Sequence, residues 1–329
     1  MSEKRQAVIG NNVLTPHGLV GMEKVKEGDS IWTSSGWAKV VKHEVTEATP
    51  VYLYETGAGV LRLPKTTEVL SDGNHIAIHS AKTIDRMMGP KPKFNADSLD
   101  PKDVIDGLVF GDGSYNKEYK KIWLCIGKQD MDYLESEVKD YIGKLDKTLN
   151  RAGYHVKTRL SSEEIPYTWD RCIPSRYQAN PKKVAGFLRG LYTANGSVNG
   201  KRITFKTTSK DIALQIIELL ASLTIPAYFS TNKPTSVKWD NGIYTSKKSY
   251  DVYTSDVLGF SNCIGFLQKY KQEKLAKLVA DFNSEKNFSK ESYEVSSEKK
   301  AKLSTSVNIQ TDSKDGVIWV SGFSICERR

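Results

Sequence analysis

Two short segments of this chain repeat one pattern of small and polar residues. The first is Ile105-Asp106-Gly107-Leu108-Val109-Phe110-Gly111-Asp112-Gly113, the second Leu188-Arg189-Gly190-Leu191-Tyr192-Thr193-Ala194-Asn195-Gly196. Each sets small residues four apart, Gly107 with Gly111 and Gly190 with Ala194. On a helix such positions share a face. Small residues there let two helix backbones approach closely. Both segments end in a polar residue before glycine, Asp112-Gly113 and Asn195-Gly196, and the glycine is expected to end each helix in a left-handed conformation. A lone Asp-Gly reads as an ordinary helix end; its repetition makes Asp112 and Asn195 candidate functional residues.

These segments need elements to position them. The first ninety residues read as short strands, Asn12–Thr15, Ser30–Thr33, Ala38–Val45 and Pro50–Glu55, separated by Gly and Pro turns. A Pro/Lys/Asp-rich linker, Met88–Lys102, follows. The spacing then predicts a helix over Asp103–Phe110, a strand over Lys121–Ile126 and a helix over Met131–Gly153. A second round predicts a helix over Asn180–Thr193, a strand over Arg202–Thr207 and a helix over Asp211–Leu223. A strand over Tyr250–Tyr253 and a last helix over Gly265–Phe282 complete it. An internal repeat of this kind governs architecture. Glu285–Ser297 reads as a surface connection. Two β-like runs, Ser306–Gln310 and Val317–Phe323, flank a hairpin turn at Asp312–Gly316.

Composition narrows the partners. Hydrophobic residues make up 39% and charged residues 26%, as in an ordinary globular protein. No apolar run reaches the length of a membrane span, and the polar Met1–Gln6 does not read as a signal peptide. The net charge of +9 favours a polyanionic partner. The four cysteines, Cys125, Cys172, Cys263 and Cys326, form no CxxC pair. That argues against a zinc cluster or a disulfide framework, and for reduced thiols in the cytoplasm.

The paired segments resemble the LAGLIDADG homing endonucleases. Phe187–Leu191, Lys206–Lys210 and Cys263–Leu267 are also similar to that family's second repeat, and the resemblance covers roughly residues 101–285. It implies two motif helices packed at a pseudo-twofold interface through Gly107, Gly111, Gly190 and Ala194. It implies a divalent metal, Mg2+ or Mn2+, held at Asp112 and Asn195 with Gly111 and Ala194 adjoining, and phosphodiester hydrolysis in double-stranded DNA. Each repeat's sheet would lie along the major groove. Catalytic lysines are expected, with Lys206, Lys269, Lys271 and Lys274 as candidates. Asn195 departs from the family's usual acid. Three readings of it stay open: a variant of an active enzyme, a decay that leaves binding or nicking, and an engineered inactive substitution.

The N-terminal segment Ala7–Gly18, with Val25–Trp32 after it, resembles the opening of an intein (Hint) domain. Asp72-Gly73-Asn74-His75 falls where that family has its TxxH block, so His75 would assist the acyl shift. Splicing also needs a nucleophile at the junction. Position 7 is alanine, either an engineered blocking substitution or the natural start of an intein class that bypasses the first step. Phe323-Ser324-Ile325-Cys326 stands where inteins have His-Asn before a nucleophile, so the splicing terminus has either degenerated or lies on a missing segment. Cys326 alone could serve as a downstream nucleophile, so efficient self-splicing is not expected.

The resulting expectation is an α+β protein: a pseudo-twofold αββαββα endonuclease core joined to an all-β Hint-like domain. Residues 1–6 would be an extein or tag and 7–95 the N-terminal Hint part. Residues 101–285 would be the endonuclease, with repeats at about 103–175 and 180–285, and 286–329 a degenerate C-terminal Hint-like hairpin. The expected partners are a DNA target site and host exteins, and the expected state is a cytoplasmic monomer. The alternatives are a catalytically impaired DNA-binding or nicking module, and a splicing element with a vestigial endonuclease.

Overall fold

The computed structural model describes residues 10–126, 139–148, 151–167, 170–239, 242–282, 292–301 and 304–327. It is a mixed α+β chain of two compact units. Five α-helices stand among the described residues: α1 (Pro101–Asp112), α2 (Pro181–Asn195), α3 (Lys210–Ser222), α4 (Val257–Cys263) and α5 (Lys269–Ala280).

The first unit is β-rich and takes its strands from both ends of the chain, together with Ile217–Tyr228. Ser304–Thr311 pairs antiparallel with the long Gly36–Thr49 strand, setting Ile309 opposite His43. Val317–Val320 lies against Ser30–Thr33, and Phe323–Cys326 against Glu68–Ser71. Ser292–Lys300 bridges Tyr52–Thr56 and Thr83–Asp85. The alternating apolar positions of these strands meet in one core of Val13, Ile31, Leu61, Val69, Val320 and Phe323.

Three sequence expectations change in this unit. The run Val317–Phe323 is not one strand, because Ser321 and Gly322 take φ of 48° and 85° and turn it back on itself. Two consecutive left-handed residues match the right-handed twist of a tight hairpin. Asp312–Gly316 is not a hairpin turn, since the strands on either side pair with different neighbours. Ser292–Lys300, whose first half was read as surface connection, is a paired strand. Its exposed charged residues disguised it; only Tyr293 is buried.

The second unit holds two sheets of the same topology. In each, a helix runs directly into a hairpin, and the strands lie in the order first, second, fourth, third. The first sheet takes Gly113–Asn116, Lys121–Ile126, Ile142–Thr148 and Arg151–Val156 in chain order. The second takes Gly196–Asn199, Arg202–Thr207, Tyr228–Asn232 and Ser249–Thr254. A separate two-stranded hairpin, Ser236–Trp239 with Gly242–Thr245, lies between the third and fourth strands of the second sheet in sequence.

The helix expected over Met131–Gly153 is overturned where it is described. Ile142–Thr148 and Arg151–Val156 are paired strands, and residues 131–138 lie outside the described residues. Tyr154 and Val156 are buried with His155 between them, a two-residue period that a helical reading of the same apolar residues overlooks. The helix expected over Gly265–Phe282 is α5, Lys269–Ala280, and it starts four residues later than expected. Gly265 takes φ of 65°, and its N–H donates to Phe260 O at 2.9 Å, so it caps α4 instead of opening the next helix.

Candidate active site

α1 and α2 start alike. Asp100 and Asn180 are their N-caps, each accepting from main-chain N–H groups of the first turn, and each is followed by proline. A proline there costs no hydrogen bond and presets the helical φ. The apolar residues of both helices are buried nearly throughout, from Val104 to Phe110 and from Val184 to Tyr192.

The two helices meet backbone to backbone. A Cβ added to Gly190 would overlap Val104 O and lie 2.5 Å from Leu108 N. A Cβ added to Gly107 would overlap Phe187 O and lie 3.0 Å from Leu191 N. One turn further on, Gly111 faces Ala194 and the Asn195 side chain, whose Cβ and Nδ2 atoms would be 2.5 and 2.8 Å from an added methyl. The contact is reciprocal, as a two-fold relation between the helices requires. It brings the carboxyl-terminal ends of both helices together, so Asp112 and Asn195 occupy one exposed end of the interface.

Gly113 and Gly196 do not end the helices in a left-handed conformation. Their φ values are −76° and −94° with ψ of 154° and 162°, so the chain passes straight into a strand. Glycine is needed for space instead. A Cβ at Gly113 would strike Val109 O and lie 2.7 Å from Val109 Cγ1, and one at Gly196 would lie 2.6 Å from Tyr192 O.

A buried cation caps each helix end. The Arg171 guanidinium donates to Phe110 O, to Gly111 O at 3.3 Å and to Gly113 O at 2.8 Å. Lys271 Nζ donates to Thr193 O at 2.7 Å. Both side chains belong to residues only 7% exposed. They satisfy carbonyls that a helix leaves unpaired and oppose the negative end of its dipole. Burial pulls the Arg171 pKa below its ordinary value, and the nearby Asp112 charge partly restores it. Lys271 was among the candidate lysines. Arg171 was missed, because it reaches the helix from 58 residues beyond Gly113. Lys269 and Lys274 are exposed on α5, and Lys206 is exposed on the second sheet.

The other carboxylates of α1 are structural. Asp106 accepts from Thr158, from Arg159 N and Nε at 3.1 Å, and from Tyr177. Asp103 accepts from Arg159 Nη2. Burial raises the Asp103 pKa, and Arg159 opposes that shift. Asp112, by contrast, is exposed at the helix end.

That end carries the Asp112 carboxylate and the Asn195 amide, with Gly111 and Ala194 packed beside them. Such a set suits a partly hydrated divalent cation better than a softer metal. It holds one carboxylate, and no cluster of three His, Cys, Asp or Glu residues able to hold a metal occurs among the described residues.

The splicing positions do not form a comparable site. Ala7 lies outside the described residues. His75 is exposed on the Asn74–Ala77 strand, with Glu68 Oε2 4.0 Å from its Nδ1. Cys326 is buried at the end of its strand; burial foremost, then the Glu68 charge, pushes its thiol up to about 12.

Residues 182–257, which span nearly all of α2 and the sheet that follows it, match the LAGLIDADG-like domain family. Among solved structures the chain is similar to the MchDnaB-1 intein, at 23% identity over 21% of this chain, with a TM-score of 0.20. The match spans 56% of that intein's length. It is similar to I-DmoI in complex with DNA and Ca at 16% identity, over 49% of this chain and 85% of that one, with a TM-score of 0.30. Full-length DUF199/WhiA from Thermatoga maritima is similar at 15% identity, over 55% of this chain and 61% of that one, with a TM-score of 0.35. No helix of the described residues is long and apolar enough to cross a membrane.

Proposed function

We propose that this protein is an intein-associated, metal-dependent endonuclease that binds a specific double-stranded DNA site. The observation that carries this reading is the convergence of Asp112 and Asn195 at one exposed end of two backbone-packed helices, each helix end fixed by a buried cation. Mg2+ or Mn2+ would be held by Asp112, by the Asn195 carbonyl and by the carbonyls of Gly111 and Ala194. Such a cation, when bound, supplies Lewis-acid charge at the scissile phosphate and a more acidic water. Asp112 brings the one negative charge that attracts it. Arg171 and Lys271 act as positioning residues, holding the helix ends at which the donors sit. The basic composition favours the DNA backbone. A cytoplasmic monomer with host-protein exteins on either side fits the same reading, with residues 101–285 as nuclease and 7–95 and 286–329 as Hint parts.

Asn195 supports a second reading, in which the module nicks one strand or binds without cutting. An amide carbonyl gives the second position no charge, so the two halves of the site would not be equivalent. Efficient self-splicing is not expected on either reading: position 7 has no nucleophile, and burial raises the Cys326 thiol, which disfavours its thiolate.

The test is cleavage selection from a plasmid library of randomised inserts with Mg2+ or Mn2+. The wild-type chain should nick or cut an enriched site, Asn195→Asp should raise double-strand cutting at that site, and Asp112→Asn should abolish both. If the wild type binds an enriched site without cutting it, while Asn195→Asp cuts, the impaired reading holds. If no form cuts or binds any sequence, the nuclease assignment is wrong.

A further inference from the structure

The outer face of the second sheet carries a hydrogen-bonded group that the cleavage centre does not use. In the register of Arg202–Thr207 against Ser249–Thr254, Phe205 lies opposite Val252, and Lys206 opposite Asp251. Phe205 and Val252 are buried, so by alternation Thr204, Lys206, Asp251 and Tyr253 point to the opposite face. Lys206 and Arg202 are exposed there. On this face Asp251 Oδ2 accepts from Asn232 Nδ2 at 2.8 Å and from the Tyr253 hydroxyl at 3.2 Å. Ser230 Oγ donates in turn to the Tyr253 hydroxyl at 3.5 Å.

This arrangement fixes which way the Asn232 amide points. A carboxylate can only accept, so the NH2 of Asn232 must face Asp251. One N–H and the carbonyl oxygen are left, and they form one donor–acceptor edge when Asp251 takes the N–H on the Cβ side. No other hydrogen bond of the Asn232 side chain occurs among the described residues, and the residue is partly exposed. In the DNA major groove, adenine alone presents an N6 donor beside an N7 acceptor, the complement of an amide edge. Guanine presents two acceptors there, and cytosine a donor without the adjoining acceptor.

We propose that Asn232 reads one adenine of the target site and that Asp251 is the positioning residue that sets its amide. This rests on the DNA-binding reading above and names a determinant of its specificity. Lys206, beside the pair on the exposed face, supplies charge toward the phosphates and carries no sequence information.

The full chain is incubated with a randomised duplex library in Ca2+, and bound DNA is sequenced. The wild type should enrich a site with adenine favoured at one position by about 10- to 100-fold, the range of a good bidentate pair. Asn232→Ala should lose that preference at that position alone and keep the rest of the site. Asp251→Asn can pair with the amide in either orientation, so the same adenine preference should fall several-fold while other positions stand. A merely structural role for Asp251 would instead weaken binding at all positions together. If Asn232→Ala enriches the same site with the same adenine, the proposal is overturned. If the wild type binds no duplex at all, the DNA-binding reading itself falls, and the proposal with it.

Discussion

Substituting Gly190 by Ala tests the helix interface at its tightest point. In an isolated helix the change would stabilise by about 1 kcal/mol, because alanine is the better helix former. Here the added methyl would overlap Val104 O and lie 2.5 Å from Leu108 N, and both are main-chain atoms that no rotamer change can move. Ordinary van der Waals contact starts beyond about 3 Å, so the helices must part by a large fraction of an ångström. A gap of that size forfeits roughly a quarter to a half of each facing dispersion contact. Overpacking costs about 1–3 kcal/mol, and a backbone clash belongs at the upper end. Taking about 3 against the gain of about 1 leaves a net loss of about 2 kcal/mol. With an m-value of about 2 kcal/mol/M, the urea midpoint should fall by about 1 M. Hydrogen exchange of the α1 and α2 amides across a urea series would read this for the second unit alone. Gly186→Ala is the milder comparison, because the one close approach of its methyl is to a side-chain atom, Asp103 Cβ at 2.9 Å, with Asp100 O and Val104 Cγ2 at 3.8 Å. Should Gly190→Ala prove neutral or stabilising while Gly186→Ala destabilises, the close-packed helix pair would be refuted.

Two further outcomes follow from buried groups of the first unit. Glu218 accepts from Asn12 Nδ2 at 3.1 Å, and burial foremost raises its pKa from 4.5 to about 7, against the opposing pull of Ser321, Asn12 and Arg86. Between those values the folded chain keeps a proton that the unfolded chain has released, so stability falls as pH rises from about 4.5 to about 7. The difference of 7 − 4.5 amounts to about 3 kcal/mol as an order of magnitude, and Glu218→Gln should remove that slope from a pH series of urea unfolding. An unchanged slope in the variant would count against Glu218 as its source. Cys326 is buried with a raised thiol pKa, whereas Cys125 is exposed. A thiol reagent at pH 8 should label Cys125 rapidly and Cys326 only on unfolding; rapid labelling mapped to Cys326 in the folded chain would contradict its placement.

The sequence by itself specified what depends on local spacing. Strands Asn12–Thr15, Lys121–Ile126 and Arg202–Thr207 were readable to the residue, because short β-branched and aromatic runs stood between turn residues. The two motif helices were readable from small residues four apart, which on a helix can only line one face. The Asp112 and Asn195 positions came with them, as the residues ending each helix. The tertiary structure decided everything that joins distant segments. It placed Ser292–Lys300 as a strand despite its charges, because partners on both sides supply its hydrogen bonds. It made Arg151–Val156 a strand, because its alternate residues found the core across a sheet. It gave Gly113 and Gly196 their reason, which is room beside the preceding helical turn and not a left-handed φ. It brought Arg171 to the carbonyls at the end of α1 and Asn232 to Asp251, contacts between residues 58 and 19 apart in sequence. Periodicity records which face a residue shares with its near neighbours; which remote group completes its hydrogen bonds is decided only when the chain closes on itself.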